Sequence, residues 1–201
     1  IYDPKTDRFI HPHYAMTSEY TAVIYEDKQK NIWIGRDKGI DIIEKATGAV
    51  KHYYNNPKNA NSLIDNDVNS IVQDSRGFFW LGTKDGLSIL NTKTNTFTNV
   101  DERKGLPTNS VLNILEDKSG VMWISTANGL VSINLSNPHD PNSYQIHKYD
   151  EFDGLQGREY NANAAYKTRS GDIIFGGAHG FNWFNPENIH QQLIQYLNIE
   201  T

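Results

Sequence analysis

A tryptophan recurs in this chain at Trp33, Trp80 and Trp123, each time inside the same short phrase: NIWIGRDKGI, GFFWLGTKDGL and GVMWISTANGL. A fourth copy, GDIIFGGAHGF, puts Ile174 in the tryptophan position. The four anchors lie 47, 43 and 51 residues apart. A glycine follows each anchor six positions later, at Gly39, Gly86, Gly129 and Gly180, and the position two after the anchor is always small: Gly35, Gly82, Ser125 and Gly176. A period of this length restricts the chain to a repeat architecture, in which each unit buries its apolar face on its neighbours.

The cleanest unit, residues 64–100, shows what that unit is. Its apolar runs are short, β-branched or aromatic, and separated by turn residues, which predicts strands and leaves no room for a useful helix. A first strand is predicted over residues 68–73. Asp74-Ser75-Arg76-Gly77 then places Asp first and Gly fourth, as a type I turn prefers, and Asp117-Lys118-Ser119-Gly120 repeats it. Asp27 keeps only the acid of that pattern and Gly171 only the glycine. A second strand over 78–83 carries the tryptophan and leads into Asp85-Gly86, a two-residue hairpin signal echoed by Asn128-Gly129, Lys38-Gly39 and His179-Gly180. A third strand over 87–90, a longer turn at Asn91-Thr92-Lys93-Thr94-Asn95 and a more polar strand over 96–100 complete it. Four antiparallel strands per repeat are a propeller blade. The fold class is therefore all-β: a β-propeller of four-stranded antiparallel blades, about four of them present. The boundaries follow the period: 1–16 an outer strand of a preceding blade and a linker, blades at 17–54, 55–104, 105–153 and 154–188, and 189–201 a tail or the start of a following β-sandwich.

One indole per repeat at a fixed strand position is what blade-to-blade packing requires, so the three tryptophans are assigned to the core rather than to ligand stacking. Burying each removes about 150–250 Å² from water, with an upper bound of roughly 4–6 kcal/mol. The net charge of −5 argues against nucleic acid or an anionic membrane as partner. No apolar run reaches the roughly 18 residues a membrane span needs. Cysteine is absent, which removes disulfides, thiolate catalysis and cysteine-based zinc sites.

The phrase W-[IL]-G-[TR]-x-x-G-[LI], the D-x-x-G before the tryptophan, and GLPTNSVLNILED at positions 105–117 resemble the two-component regulator propeller repeat. The stretch from Gly154, GLQGREYNANAAYKTRSGDIIFGGAHGFNWFNPENI, resembles the terminal unit of such propellers. The resemblance implies the C-terminal part of a propeller of about seven blades, in the periplasmic sensor region of a hybrid two-component histidine kinase. It also implies oligosaccharides from polysaccharide breakdown as the input, transcription as the output, and kinase domains elsewhere in the parent protein. This segment is then not itself an enzyme and needs no cofactor or metal. Its partners would be the ligand, the remainder of the propeller, the domains that follow, and in one arrangement a second copy as a homodimer.

If the chain senses a ligand, the rim where lead-in loops meet the turns between second and third strands is the place to look. The lead-in loops supply Tyr20, Asn66, Asn109 and Tyr160; the turns supply Arg36, Lys84, Asn128 and His179; and Arg158 precedes the last strand group. Amides and aromatics hydrogen-bond and stack on sugars, and Arg36 and Arg158 are natural bidentate partners for an acidic ligand. The plainer reading gives Asn and Asp at these places to turns and strand starts.

Two rival functions stand beside sensing. A sialidase-type Asp box needs its acid two residues before the glycine, but Asp74 and Asp117 stand three before Gly77 and Gly120. No carboxylate pair, HExxH spacing or G-x-S-x-G elbow stands out for a glycosidase or lyase. A protein-interaction scaffold is the stronger rival, although the Gly-His and Trp-Asp dipeptides of WD40 repeats are missing. Four units can also close a ring if residues 8–10 complete the blade begun at Tyr160; an open arc instead leaves exposed faces and edges.

Overall fold

The computed structural model describes residues 2–9, 14–137 and 139–189, so the expectations for residues 10–13 and 190–201 lie outside the described residues. Seventeen strands are found among them. A short hairpin comes first, β1 (Tyr2–Asp3) with β2 (Arg8–Phe9). Three four-stranded sheets follow: β3 (Val23–Glu26), β4 (Ile32–Arg36), β5 (Gly39–Ile43) and β6 (Val50–Tyr53); β7 (Val68–Gln73), β8 (Phe79–Thr83), β9 (Gly86–Asn91) and β10 (Thr96–Val100); β11 (Val111–Glu116), β12 (Met122–Thr126), β13 (Gly129–Leu135) and β14 (Tyr144–Tyr149). The last sheet holds β15 (Tyr160–Lys167), β16 (Ile173–Gly177) and β17 (Gly180–Phe184).

Each sheet is an antiparallel meander in chain order, a propeller blade as the repeat implies. The first strands β3, β7, β11 and β15 lie next to one another along the inside of the arc. Three apolar cores fill the three blade boundaries. Trp33, Ile40 and Ile42 of the first blade meet Ile71, Phe79 and Leu81 of the second. Trp80 and Ile89 meet Ile114, Met122 and Ile124 of the third. Trp123 and Leu130 meet Tyr160, Ile173 and Phe175 of the last. The tryptophans are core, and Trp33 stacks on Phe79 of the next blade with ring centroids 3.8 Å apart.

The turn acids do more than start turns. Asp27, Asp74 and Asp117 are buried, and one carboxylate oxygen of each accepts the indole N–H of the tryptophan six residues on, at 2.9, 3.0 and 2.9 Å. The other oxygen accepts a backbone N–H four residues on, from Asn31, Phe78 and Val121. A buried indole N–H needs an acceptor, and this carboxylate supplies it while closing the turn. The last blade tests that logic within one chain. Ile174 has no side-chain N–H to satisfy, and the acid is replaced by Thr168, whose Oγ1 keeps the turn-closing backbone bond, from Asp172 N–H at 3.0 Å.

The small position two after the anchor is a close approach between blades. A Cβ on Gly82 would sit 2.5 Å from Val111 Cγ1 of the next blade, and one on Gly35 would lie 3.0 Å from the Val68 backbone oxygen. Ser125 fits because its hydroxyl accepts from the Asn113 side-chain amide at 2.7 Å.

The last sheet has three strands among the described residues, and β1 and β2 pair only with each other. The closing of a four-blade ring through residues 8–10 is therefore not realised. Strand β2 is already paired to β1 on the edge that β17 would need. Among the described residues the blade faces at both ends of the arc are uncovered, with Ile24, Tyr166, Phe181 and Trp183 each exposed.

Three substitutions test this packing. Asp74→Ala strips acceptors from a buried indole and a buried amide and leaves Arg76 unpaired, so calorimetry should show a loss of roughly 3–5 kcal/mol. Thr168→Ala, which serves no indole, should cost about 1 kcal/mol. Gly82→Ala should cost roughly 1–3 kcal/mol by crowding Val111, and the double variant with Val111→Ala should recover part of that loss.

Candidate functional site at the rim

At one end of the blades the lead-in loops are stitched to the turns that follow the second strands. Within blades, Lys84 N–H donates to Asp67 O at 3.0 Å, Ala127 N–H to Ser110 O at 3.1 Å and Ala178 N–H to Glu159 O at 3.2 Å. Across boundaries, Gly39 N–H donates to Asn66 O at 2.8 Å and Gly129 N–H to Arg158 O at 2.7 Å. Backbone bonds thus join the rim across the first and last boundaries, with the Asn109 side chain bridging the middle one to Asp85, and side chains pointing off it are held by their neighbours' framework.

Two of the lead-in loops share a built form. Asp101 and Asp150 each open a single 3-10 turn, over Glu102–Lys104 and Glu151–Asp153, which ends on a glycine in the left-handed region, Gly105 at φ 117° and Gly154 at φ 90°. The leucine that follows turns inwards, Leu106 fully and Leu155 half-buried, and its N–H returns to the carbonyl of the opening aspartate. This is the physical content of the Gly-Leu phrases at Gly105 and Gly154. The Arg103 guanidinium on Asp101, at 2.5 Å, holds that carboxyl below the usual carboxylate range.

The expected ligand residues divide into braces and exposed groups. Arg36 is a brace: it is 5 % exposed, its Nε meets the buried carboxylate of Asp41 at 2.8 Å, and Nη1 donates to the backbone oxygens of Ser18 and Tyr20. The expectation of a ligand-facing arginine there thus differs from its place, because a carboxylate inside the first blade takes the guanidinium. Tyr160 is likewise 5 % exposed and donates its hydroxyl to Asn182 Oδ1 at 2.7 Å. Asn66 Oδ1 accepts the N–H of Asn55 at 2.7 Å. Asn109 exchanges backbone and side-chain bonds with Glu102 and donates Nδ2 to Asp85 Oδ1 of the preceding blade's turn at 2.8 Å.

The others stand out from the seam. Tyr20 is 57 % exposed, Lys84, Asn128 and His179 are exposed, and Arg158 is exposed with a long contact to Glu151 at 3.3 Å. Asn109 and Lys84 come from adjoining blades and meet at the Asp85 turn, and Arg158 lies beside the turn of Asn128 through the Gly129 bond. Sequence reasoning missed Phe152. It is 93 % exposed in the same turn as Glu151, where the equivalent loop has Arg103. An aromatic between two acids in a loop, outside any strand alternation, was the available signal. Among the described residues no cluster of His, Asp and Glu is placed to hold a metal ion, and no helix is long and apolar enough to cross a membrane.

Residues 62–85 and 105–128, each running from a lead-in loop to the turn after the second strand, match the family described as the two-component regulator propeller. The second and third blades carry two-component regulator propeller repeats. Over 183 residues the chain is 30% identical to Histidine kinase P4 of Formosa agariphila, covering 88% of this chain and 13% of that protein. The extracellular domain of a hybrid two-component system of B. thetaiotaomicron is 26% identical with a TM-score of 0.57, covering 84% of this chain and 28% of that one. The extracellular domain of a one-component system of B. thetaiotaomicron superposes with a TM-score of 0.72 at 22% identity, over 90% of this chain and 25% of that one, a likeness of fold. The chain thus spans about an eighth of the kinase and about a quarter of the solved chains.

In the last blade the phenol of Tyr160 is a marker of rim integrity. Burial pushes it up to about 12, with the Gln156 side chain offsetting part of the shift. The folded state keeps this proton longer than the unfolded chain. Its stabilising contribution is whole below about pH 10 and is lost as pH rises through about 12. In an ultraviolet phenolate titration, Tyr160→Phe should remove a step near that upper value.

Proposed function

We propose that this chain is a segment of the extracytoplasmic sensor propeller of a hybrid two-component histidine kinase, and that its rim binds oligosaccharides released from polysaccharides. Binding there would pass through the rest of the parent protein to transcription, with no catalytic step in this segment. The observation that carries the reading is the contrast between blade and rim. The blades repeat one packing solution, whereas the rim sets exposed Tyr20, Phe152, Lys84, Asn128, Arg158 and His179 on a stitched backbone frame. Aromatic faces, an amide and cations at this density suit sugar rings that carry carboxylate or sulfate groups. The likeness to the extracellular domain of a hybrid two-component system supports the same reading.

Thermal-shift measurements on the intact extracytoplasmic region, with pools of neutral and acidic oligosaccharides, test it. An acidic pool at about 100 times its Kd should stabilise by roughly 2.7 kcal/mol, a shift of several degrees. Phe152→Ala and Arg158→Ala should each weaken that shift without lowering the unliganded Tm. No shift with any pool, together with a stable protein partner recovered by the rim, would replace sugar sensing with a protein-interaction role.

A further inference from the structure

Because the strands of a blade alternate in direction, the turns after the first and third strands lie at the end opposite the rim. There the third blade departs from the repeat. Residues 136–143 join β13 to β14, where 92–95 suffice between β9 and β10 and 44–49 between β5 and β6. The added length is closed on itself. Ser143 Oγ donates to the backbone oxygens of Asn137 and Asp140 at 3.0 and 2.7 Å, and accepts the Asn137 N–H at 2.8 Å. Asn142 Oδ1 accepts the hydroxyl of Thr98 in the outer strand of the preceding blade at 3.1 Å. The loop is thereby pinned back across the boundary between the second and third blades.

This placement brings His139 to a cavity of about 200 Å³, whose other walls are Arg76, Gly77, Phe78, Asn91 and Lys93 of the second blade. The side-chain oxygens at this place are already taken. Asn91 Oδ1 accepts the N–H groups of Lys93 and Thr94 at 3.0 and 3.4 Å. The buried Asp74 carboxylate behind Arg76 is engaged by Trp80, Phe78 and Arg76 Nε. Donors are what remain. Asn91 Nδ2, Lys93 Nζ, Arg76 Nη1 and the His139 ring have no hydrogen-bond partner among the described residues. The imidazole supplies at least one N–H in either protonation state. Asp74 and Arg76 balance one another, no carboxylate lines the cavity, and Lys93 leaves it net positive.

We propose that this cavity is an anion site that takes a tetrahedral oxyanion: sulfate or phosphate, free or as an ester on a sugar. Arg76, held by Asp74, fixes one wall; Asn91 and Lys93 donate from the β9–β10 turn, and His139 donates from the third blade. Charge-assisted bonds from a guanidinium and an ammonium suit an oxyanion better than a neutral hydroxyl. The volume is below the roughly 300–1,000 Å³ of pockets that enclose a whole small molecule, so only the charged group enters. None of these residues belongs to the rim, and occupancy here does not depend on a ligand there.

The test titrates the 201-residue chain with sodium sulfate, sodium phosphate, a sulfated galactose and galactose at constant ionic strength. In amide NMR spectra, sulfate or phosphate should shift Phe78, Asn91, Lys93 and His139 together and saturably, and galactose should not. A sulfated galactose that binds about tenfold more tightly than sulfate assigns the sugar ester; equal affinities assign the free oxyanion. Asn91→Asp keeps the oxygen that accepts the Lys93 and Thr94 amides but exchanges the free amide nitrogen for a charged oxygen. It should weaken binding by more than about tenfold. Lys93→Ala and His139→Ala should each weaken it about three- to tenfold, with the unliganded Tm moved by no more than about 1 °C. Phe152→Ala should leave it unchanged. Binding that survives Asn91→Asp, or that is lost in Phe152→Ala, would overturn the proposal. So would unsaturable shifts scattered over surface lysines, the mark of an adventitious ion only.

Discussion

A buried carboxylate facing an indole N–H, six residues apart, organises every complete blade of this protein. The tryptophan is the largest group at each blade boundary, and its ring can enter the core only if its one polar atom is satisfied there. Asp27, Asp74 and Asp117 do this from the turn between first and second strands, and the same carboxylates hold the turn closed through backbone amides. Turn, strand register and boundary core are thus coupled through a single side chain. The carboxylate is itself buried, so it is stable only while those donors are in place. The fourth blade drops acid and indole together, which identifies them as one unit.

From that unit the arc is propagated by contacts that repeat at each boundary. The small residue two after the anchor lets the neighbouring inner strand approach, with Val111 against Gly82 and Val68 against Gly35. Gln73 and Glu116 then tie the inner strand of one blade to the turn of the blade before it. At the last boundary Lys167 Nζ donates instead to the Glu116 backbone oxygen at 2.7 Å, so each boundary is apolar in its middle and hydrogen-bonded at its turn end. A repeat of this kind stands or falls by its neighbours, because a single blade has two faces and can bury neither alone.

The rim obeys a different rule. Backbone bonds tie its last three lead-in loops to the turns after the second strands, but its side chains differ from blade to blade. Arg36 and Asn109 have been drawn into bracing, whereas Tyr20, Phe152 and Lys84 project from the same frame. The side chains that recur from blade to blade pack the boundaries, and those that differ from blade to blade lie on the rim loops.

The repeat, the four strands of each complete blade and the burial of the tryptophans were legible in the amino-acid sequence, because they depend on local alternation, turn chemistry and a period. Strands over 68–73 and 96–100 fall where the pattern places them. The indole–carboxylate pair was present in the same phrase, but spacing alone read Asp74 as a turn former, since only the folded hairpin brings its oxygen to Trp80. The rim was less legible still. Arg36 and Tyr160 have the composition of ligand residues, and whether each faces solvent or the interior depends on how the chain folds back, which sets Asp41 of the next strand and the Ser18 loop around Arg36 and brings Asn182 of the third strand to Tyr160. Sequence by itself determined what a blade is, because a blade is closed by its own residues. Tertiary structure decided which side chains are free, because exposure is set by the neighbour that covers a residue, and the neighbour is not adjacent in the chain.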